Sequence, residues 1–317
     1  MELNYKKKHK MRHLIIFCSL IFLFSVKVNA QQLANSSHFS ETRAIWNPAF
    51  TAVGNDMIFD GFFRTQWLGF KGAPITGFAS FQYPLLKYNM SAGALFHFDQ
   101  TGPVSKVGIQ LNYAYKLKEV LSKYGQLSLG VSADFQQYSF NGTGEIFNDD
   151  NDGLILGGRS GAFFPSAGGG FFYTSNVREY KGNTFFVGAA MSQIYTTEVL
   201  VNDFDQVRQS HIHFNVGGRF YNYDSYFEPM ITANIVNPDI IDVLYGLKFE
   251  KQNAFWAGAG FSSTSMLAVQ GGVILDEFGD RYSKLKVGVL ASYGVGSTLS
   301  RTGASMELYI GYYFDKK

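Results

Sequence analysis

The sequence predicts an all-β fold, a single antiparallel transmembrane β-barrel of about 14 strands with an N-terminal segment that plugs the lumen. Three observations predict this fold. Apolar and polar residues alternate along most of the chain, an export leader precedes the alternation, and aromatic residues make up 17% of the chain. A period of two is typical of strands with one apolar and one polar face. Abundant aromatic residues are typical of the interface belts of membrane barrels.

Residues 1–30 have the features of a secretory signal peptide. Basic residues cluster in positions 6–12, the apolar run 14–26 follows, and small residues lead up to Ala30. This apolar run is short of the ~20 residues that a spanning helix needs, which argues against a membrane anchor. We therefore expect cleavage before Gln31.

The composition of the mature chain argues against nucleic-acid binding and against cysteine chemistry. Six of the 27 basic residues and one of the 25 acidic residues lie in the leader, so the mature chain has a net charge of −3. This balance gives no electrostatic basis for nucleic-acid binding. The single cysteine, Cys18, also lies in the leader. The mature protein therefore has no disulfide and no thiol-based metal site.

The barrel is predicted from strands that follow one another up to the C-terminus. Within 106–118 the odd positions are apolar and the even positions are mostly polar or small. Most predicted strands have 10–12 residues, close to the ~9–11 needed for a tilted crossing, and their number is even. They cover 56–67, 74–83, 89–99, 104–117, 125–139, 166–174, 183–192, 209–221, 226–236, 241–251, 254–263, 265–275, 282–293 and 304–315.

The lengths of the connections predict an orientation in the membrane. An even barrel keeps both termini in the periplasm, so connections that follow odd-numbered strands face outward. The two longest, 140–165 and 193–208, follow strands five and seven and are therefore expected outside. The main structural alternative is a soluble β-sandwich, which would have many charged outer positions. Here the polar positions are mostly Gly, Ser, Asn, Gln and Ala, which favours the barrel.

The sequence divides into a leader at 1–30, an N-terminal segment at 31–55 and a barrel at 56–317. We expect the N-terminal segment to enter the lumen as a plug; the alternative is a disordered periplasmic tail, against which Phe39, Trp46 and Phe50 argue. Charged and polar residues on the polar face should line the lumen, where opposite charges pair and close the channel. The candidates are Arg64, Gln66, Lys106, Asp134, His211, His213, Arg219, Lys248 and Glu307.

No motif in the sequence indicates an enzyme or a cofactor. No serine lies in a recognisable nucleophile motif, which argues against a hydrolase. His211 and His213 share one strand face, so a metal site or a general base is conceivable, but polar lumen residues are the preferred interpretation. Trp67 and Trp256 are expected in the interface belts.

The acidic stretch 148–153 is the other candidate for ligand binding. It resembles the start of an EF-hand calcium loop, but Arg159 stands where the bidentate glutamate is required, so an EF-hand is rejected. A weak calcium contact stays open. Asp149, Asp150 and Asp152 are the preferred candidates for an external loop that contacts a partner.

Several motifs resemble those of one family. Asn47-Pro48-Ala49, the Arg-x-Gln-Trp motif at 64–67 and the Gly-Ala-Pro-x-Thr motif at 72–76 resemble the opening of the PorP/SprF family, and the resemblance extends to the closing strand at 306–314. One departure is visible, because Ala304-Ser305-Met306-Glu307 stands where typical members have Ser-His-Glu. The start at Asn47 is also similar to that of fatty-acid-transporter-like barrels.

This resemblance implies a non-enzymatic role in the bacterial outer membrane. The family belongs to the type IX secretion system and is tied to gliding motility. Its implied partners are outer-membrane lipid and either components of that secretion system or a secreted surface adhesin that the barrel anchors or displays. The alternative from another class is a transporter or porin for a small solute.

Overall fold

The computed structural model describes residues 40–141, 159–178, 181–196, 199–201, 204–206, 209–236, 240–279, 283–295 and 303–315. The predicted leader, the first part of the N-terminal segment, and Asp149, Asp150 and Asp152 lie outside the described residues. Within the described part of the chain, no helix is long and apolar enough to cross a membrane.

Fourteen antiparallel strands of the described chain close into one barrel, as predicted. Each strand pairs with its neighbours in sequence, and the barrel closes where the first strand pairs with the last. The strands are β1 Asp56–Thr65, β2 Ile75–Leu85, β3 Met90–Thr101, β4 Val104–Lys118, β5 Gln126–Asn141, β6 Arg159–Thr174, β7 Thr184–Thr196, β10 His211–Asn222, β11 Ser225–Val236, β12 Ile240–Lys251, β13 Phe255–Ser262, β14 Met266–Asp276, β15 Ser283–Gly294 and β16 Ala304–Asp315.

The remaining elements are short. A two-stranded hairpin that is not part of the barrel sheet is formed by β8 Val199–Val201 and β9 Phe204–Gln206. One helical turn, α1 Arg43–Trp46, precedes a 3-10 turn at Pro48–Phe50, and a second 3-10 turn covers Leu86–Tyr88. The hairpin lies in the stretch 193–208 that the sequence predicts as a plain loop.

The alternation of the sequence corresponds to the two faces of the barrel. On β4, Ile109, Leu111 and Tyr113 are exposed on the outward face, whereas Asn112 and Lys116 are buried on the inward face. Side chains on the outward face of a barrel have no protein core to pack against. An apolar outward face is therefore typical of a barrel that contacts the hydrocarbon of a membrane.

Two stretches of the barrel differ from the predicted strands. β6 begins at Arg159 rather than at 166, because its first residues continue the ladder with β5 up to Asn141. Between β6 and β7 the register shifts between Ala167 and Gly169, and the left-handed Gln193 (φ 59°) lies in the part of β7 that this shift skips. The barrel wall is therefore irregular at this one pair of strands within the described chain.

The two ends of the barrel are distinct. We call the end where β1 begins and β16 ends the terminal end, and the opposite end the loop end. The long connections between β5 and β6 and between β7 and β10 both follow strands that run toward the loop end.

The lumen and its N-terminal segment

Residues 40–55 contact the inner faces of the strands. Ser40 lies beside Glu228 near the start of β11, in the terminal half of the barrel. The chain then rises to Trp46, whose ring centroid lies 5.1 Å from that of His213 near the loop end of β10. It returns to the terminal half at Val53, whose carbonyl oxygen accepts from Gln126 at 3.2 Å. The segment is therefore a re-entrant loop with Trp46 near its tip.

The local sequence favours this sharp turn. Asn47 precedes the 3-10 turn in extended conformation, and its side-chain oxygen accepts from the Ala49 amide at 3.0 Å. Pro48 occupies the first position of the turn, where a missing amide proton costs nothing. The Asn47 side-chain nitrogen donates to the Phe171 carbonyl at 2.9 Å, which ties the turn to β6.

Three glycines of the inner wall make room for this turn, and we call Gly130, Gly170 and Gly188 the glycine notch. A Cβ at Gly130 would lie 2.1 Å from the Ala49 nitrogen. A Cβ at Gly170 would lie 2.7 Å from Asn47 Oδ1, and one at Gly188 would lie 3.1 Å from Asn47 Nδ2. The backbone of Pro48 and Ala49 therefore packs directly on the backbone of β5 at Gly130, and the Asn47 side chain packs on β6 and β7 at Gly170 and Gly188.

Hydrogen bonds in which no carboxylate takes part attach the N-terminal segment to the wall formed by β2 to β5. The carbonyl of Thr51 accepts from Ser91 at 2.6 Å, and the amide of Ala52 donates to Gln82 at 2.9 Å. Asn112 donates to the Ala44 carbonyl at 3.2 Å, and Lys116 donates to the Ala52 carbonyl. Because Ser91, Gln82 and Asn112 are buried, these bonds satisfy groups that would otherwise lose water without compensation.

An ion-pair network, which we call the charge cluster, fixes the segment to the opposite wall. Glu228 is buried between Arg43 of the segment and Arg219 of β10. Lys248 lies between Glu41 of the segment and Glu250, and the Lys248–Glu250 distance is 2.8 Å. The members among the described residues are Glu41, Arg43, Arg219, Glu228, Lys248, Glu250 and Lys286, which lies 3.1 Å from Glu250. Removing one member of such a buried network leaves its partner charged and unpaired.

The other charged candidates pair at the wall itself. Arg64 of β1 lies 3.4 Å from Glu307 of β16, across the strand pair that closes the barrel. Lys106 lies 4.0 Å from Asp99 on the neighbouring strand. Asp134 accepts from His97 at 2.9 Å. Gln66, an uncharged candidate, lies just beyond the end of β1. Its backbone amide donates to the Pro74 carbonyl.

The two histidines of β10 lie together on its inner face. Their rings are nearly parallel, with centroids 6.4 Å apart, and both side chains are buried. His213 Nδ1 lies 2.7 Å from the Asn234 side-chain oxygen, and His211 Nδ1 lies 2.9 Å from the Gln209 carbonyl. Among the described residues, no group of three or more His, Cys, Asp or Glu side chains could hold a metal ion.

Sequence reasoning missed Glu41, Arg43 and Glu228, and its expectation for Trp256 is wrong. Trp256 is 1% exposed and lies inside the barrel, edge-on to Tyr309 with centroids 6.5 Å apart. Gly272 and Gly288 provide the space, because a Cβ at either would lie within 2.5 Å of the Trp256 ring. The signal was present, since Trp256 shares its strand face with Ser262 rather than with the apolar residues. Trp67, beyond β1, is 39% exposed.

Two cavities flank Trp46 in the loop half of the lumen. One, of about 660 Å³ including open solvent, lies between Ile45 and the wall from β1 to β7. The other, of about 670 Å³ including open solvent, lies between Arg43 and the wall that contains His213 and Asp242. The lumen therefore holds space on the loop-end side of the N-terminal segment.

Comparisons with solved structures show the same kind of barrel. A CymD monoaromatic hydrocarbon channel has a TM-score of 0.54 and 9% identity over 90% of this chain and 95% of that chain. The Pseudomonas putida toluene transporter TodX has a TM-score of 0.54 and 9% identity over 87% of this chain and 94% of that chain. At this identity the similarity shows the fold alone. No curated protein sequence matches the chain significantly.

A family model agrees with the motifs that the sequence displays. The model described as "Type IX secretion system membrane protein PorP/SprF" matches residues 28–312, which include the whole N-terminal re-entrant loop and nearly all of the barrel. Together with the closed barrel, this places the protein in the bacterial outer membrane. The chain belongs to the PorP/SprF family of type IX secretion system membrane proteins.

Proposed function

We propose that the protein is a non-enzymatic outer-membrane anchor that holds or displays a secreted surface protein or adhesin. Family membership implies association with other type IX secretion components. The observation that carries the proposal is the N-terminal segment in the lumen, bonded to one wall through Ser91 and Asn112 and to the other through the charge cluster. In this proposal residues 31–55 act as a plug, so the barrel provides a surface rather than an open channel.

The loop end is the proposed docking side. Both long connections leave the barrel there, and loops on a rigid scaffold commonly carry binding function. In this orientation the loop end faces the outside, as expected of the longer loops of a barrel. Asp149, Asp150 and Asp152 remain the proposed contact residues of the first connection.

A deletion strain tests the anchor. We expect one or a few surface proteins to appear in the medium or to disappear from the cell surface, while uptake of small solutes is unchanged. Mass spectrometry of medium and surface fractions measures the first result, and radiolabelled uptake the second. An intact surface proteome with a defect in solute uptake would overturn the anchor in favour of the transporter.

A shorter deletion tests the docking side. Removing residues 145–156 leaves β5 and β6 complete, since β6 begins at Arg159. We expect this variant to insert normally and to lose display as the full deletion does. A Gly-Ser replacement of the same length is the matched control for spacing and should lose display as well. Normal display in both variants would remove this connection from the docking site.

A further inference from the structure

The charge of the terminal end is uneven around the barrel. By sequence, five basic and two acidic residues lie in the connections that join β2 to β3, β4 to β5 and β6 to β7, at 86–89, 118–125 and 175–183. Three basic and four acidic residues lie in the other connections of this end, at 222–225, 251–254 and 276–284. We call the five basic residues of the first group, whose side chains are all exposed, the basic platform; they are Lys87, Lys118, Lys123, Arg178 and Lys181.

Two of the connections that carry the basic platform hold each other in one arrangement. The Val177 amide donates to the Tyr124 carbonyl at 3.0 Å, and the Ser122 hydroxyl donates to the Ser175 carbonyl at 2.7 Å. The guanidinium carbon of Arg178 lies 3.3 Å from the centre of the Tyr124 ring. Because this cation–π contact fixes the guanidinium before any partner arrives, less side-chain entropy is lost on binding.

An exposed leucine lies within the same surface. Leu121, in the connection between β4 and β5, is 88% exposed, and its backbone is left-handed (φ 57°). A bulky residue in this region is an outlier, and such residues persist where the surrounding structure holds them. Val177 of the neighbouring connection is also exposed. Apolar side chains within a polar rim that includes arginine and tyrosine are typical of protein–protein interfaces.

The position of the basic platform favours a protein partner over lipid headgroups. On β4 the exposed apolar positions of the outward face end at Leu117, and the next outward position is Glu119. Leu121 therefore lies beyond the apolar belt of the barrel. Lipid headgroups surround a barrel on all sides, whereas the excess of basic residues is confined to the connections from β2 to β7.

We infer that the basic platform docks an acidic segment of a partner protein, with carboxylates against Lys123 and Arg178 and an apolar side chain against Leu121. In the orientation proposed above, this end faces the periplasm, so the partner is a periplasmic protein. The inference is separate from the anchor proposal, whose partner docks at the loop end. Its test uses nanodiscs, in which both ends are accessible, and so does not depend on the orientation.

Binding is measured by fluorescence polarisation with the full mature chain in phosphatidylcholine nanodiscs at 50 mM salt. The probe is a labelled peptide of sequence Glu-Glu-Leu-Glu-Glu-Leu-Glu-Glu, and the control peptide has lysine in place of every glutamate. We expect saturable binding of the acidic peptide, at least tenfold tighter than that of the basic one. Higher salt should weaken it, because exposed charges are screened.

Paired variants localise the binding on the terminal end. Lys123→Gln combined with Arg178→Gln should weaken the acidic peptide at least tenfold. Lys251→Gln combined with Lys284→Gln is the matched control, because it removes two basic residues from the other half of the same end, and binding should be unchanged.

A second pair of variants tests the apolar contact. Leu121→Gly keeps a backbone that glycine adopts readily and should weaken the peptide at least threefold. Tyr223→Gly is the matched control, because Tyr223 is also left-handed (φ 55°) and is 94% exposed in the other half. Heat-modifiable migration on gels checks that each barrel is folded.

Three results would overturn the inference. The first is the absence of saturable binding to wild type. The second is an equal loss of binding in the Lys251 and Lys284 control. The third is enrichment of phosphatidylglycerol around wild type in mixed-lipid nanodiscs that disappears in the Lys123 and Arg178 variant while the peptide binds neither protein, which would assign the surface to lipid.

Discussion

Gly130 allows a direct test of whether the N-terminal segment closes the lumen. In Gly130→Ala the new Cβ would lie 2.1 Å from the Ala49 nitrogen and 2.4 Å from the Pro48 carbonyl carbon. Ordinary contacts of a Cβ are 3.4–4 Å, and both neighbours are backbone atoms that no rotamer change can move. Overpacking of this kind costs about 1–3 kcal/mol.

We expect the upper part of that range, because two backbone atoms are displaced at once. About 3 kcal/mol at 1.4 kcal/mol per tenfold change shifts the equilibrium roughly 100-fold toward an unseated segment. The barrel itself should persist, since alanine is acceptable in a strand whose hydrogen bonds are unchanged. Gly169→Ala is the matched control, because its Cβ would meet its nearest atom at 3.5 Å.

Single-channel recording in planar bilayers measures the result. Wild type and Gly169→Ala should be silent, and Gly130→Ala should show repeated openings. If Gly130→Ala is as silent as Gly169→Ala, the fit of residues 47–49 against Gly130 does not hold the lumen closed. Steady current through the wild type would contradict the plug altogether and support the porin alternative.

Three other predictions follow from the two faces of the barrel and from the charge cluster. Leu111→Arg should lower the stability of the barrel by about 2–4 kcal/mol if the new side chain meets the bilayer midplane, and Gln110→Arg should lower it much less. A bilayer-refolding titration measures both, and equal losses of stability would refute the assigned faces. Glu228→Gln leaves Arg43 and Arg219 without their shared carboxylate and should cost about 3–5 kcal/mol of stability, whereas an unchanged unfolding midpoint would show that the cluster is not coupled to stability. An epitope inserted near Asn151 should bind antibody on intact cells and one in the turn at 222–224 should not; the reverse pattern would invert the topology.

The strands were predictable because their signal is local. On β4 the alternation of apolar and polar residues is complete, and the observed strand, Val104–Lys118, extends the predicted 104–117 by one residue. β6 was predicted too short because its first residues, such as Phe163 and Phe164, are apolar on both faces. There the ladder with β5, not the pattern of β6 alone, determines where the strand begins.

The contacts inside the lumen were predictable only in part. The sequence indicates which residues share an inward face, so Arg64, Asp134 and Lys248 were named as candidates. The sequence does not indicate which charged residues pair with each other. Arg43 and Glu228, for example, are 185 positions apart and meet only because of the path that the N-terminal segment takes through the lumen. For Trp256 the parity of β13 indicated the inward face, but the space that accepts its ring depends on Gly272 of β14 and Gly288 of β15.

By itself, the sequence determined that the chain forms a barrel, how many strands close that barrel and which face points inward on strands with a clear alternation, such as β4, because a period of two is a property of consecutive residues. The tertiary structure alone decided which charges pair, where the glycine notch receives Asn47 to Ala49, and where the lumen keeps free space. Those features depend on distances between strands that are far apart in sequence, and closure of the barrel is what brings them together.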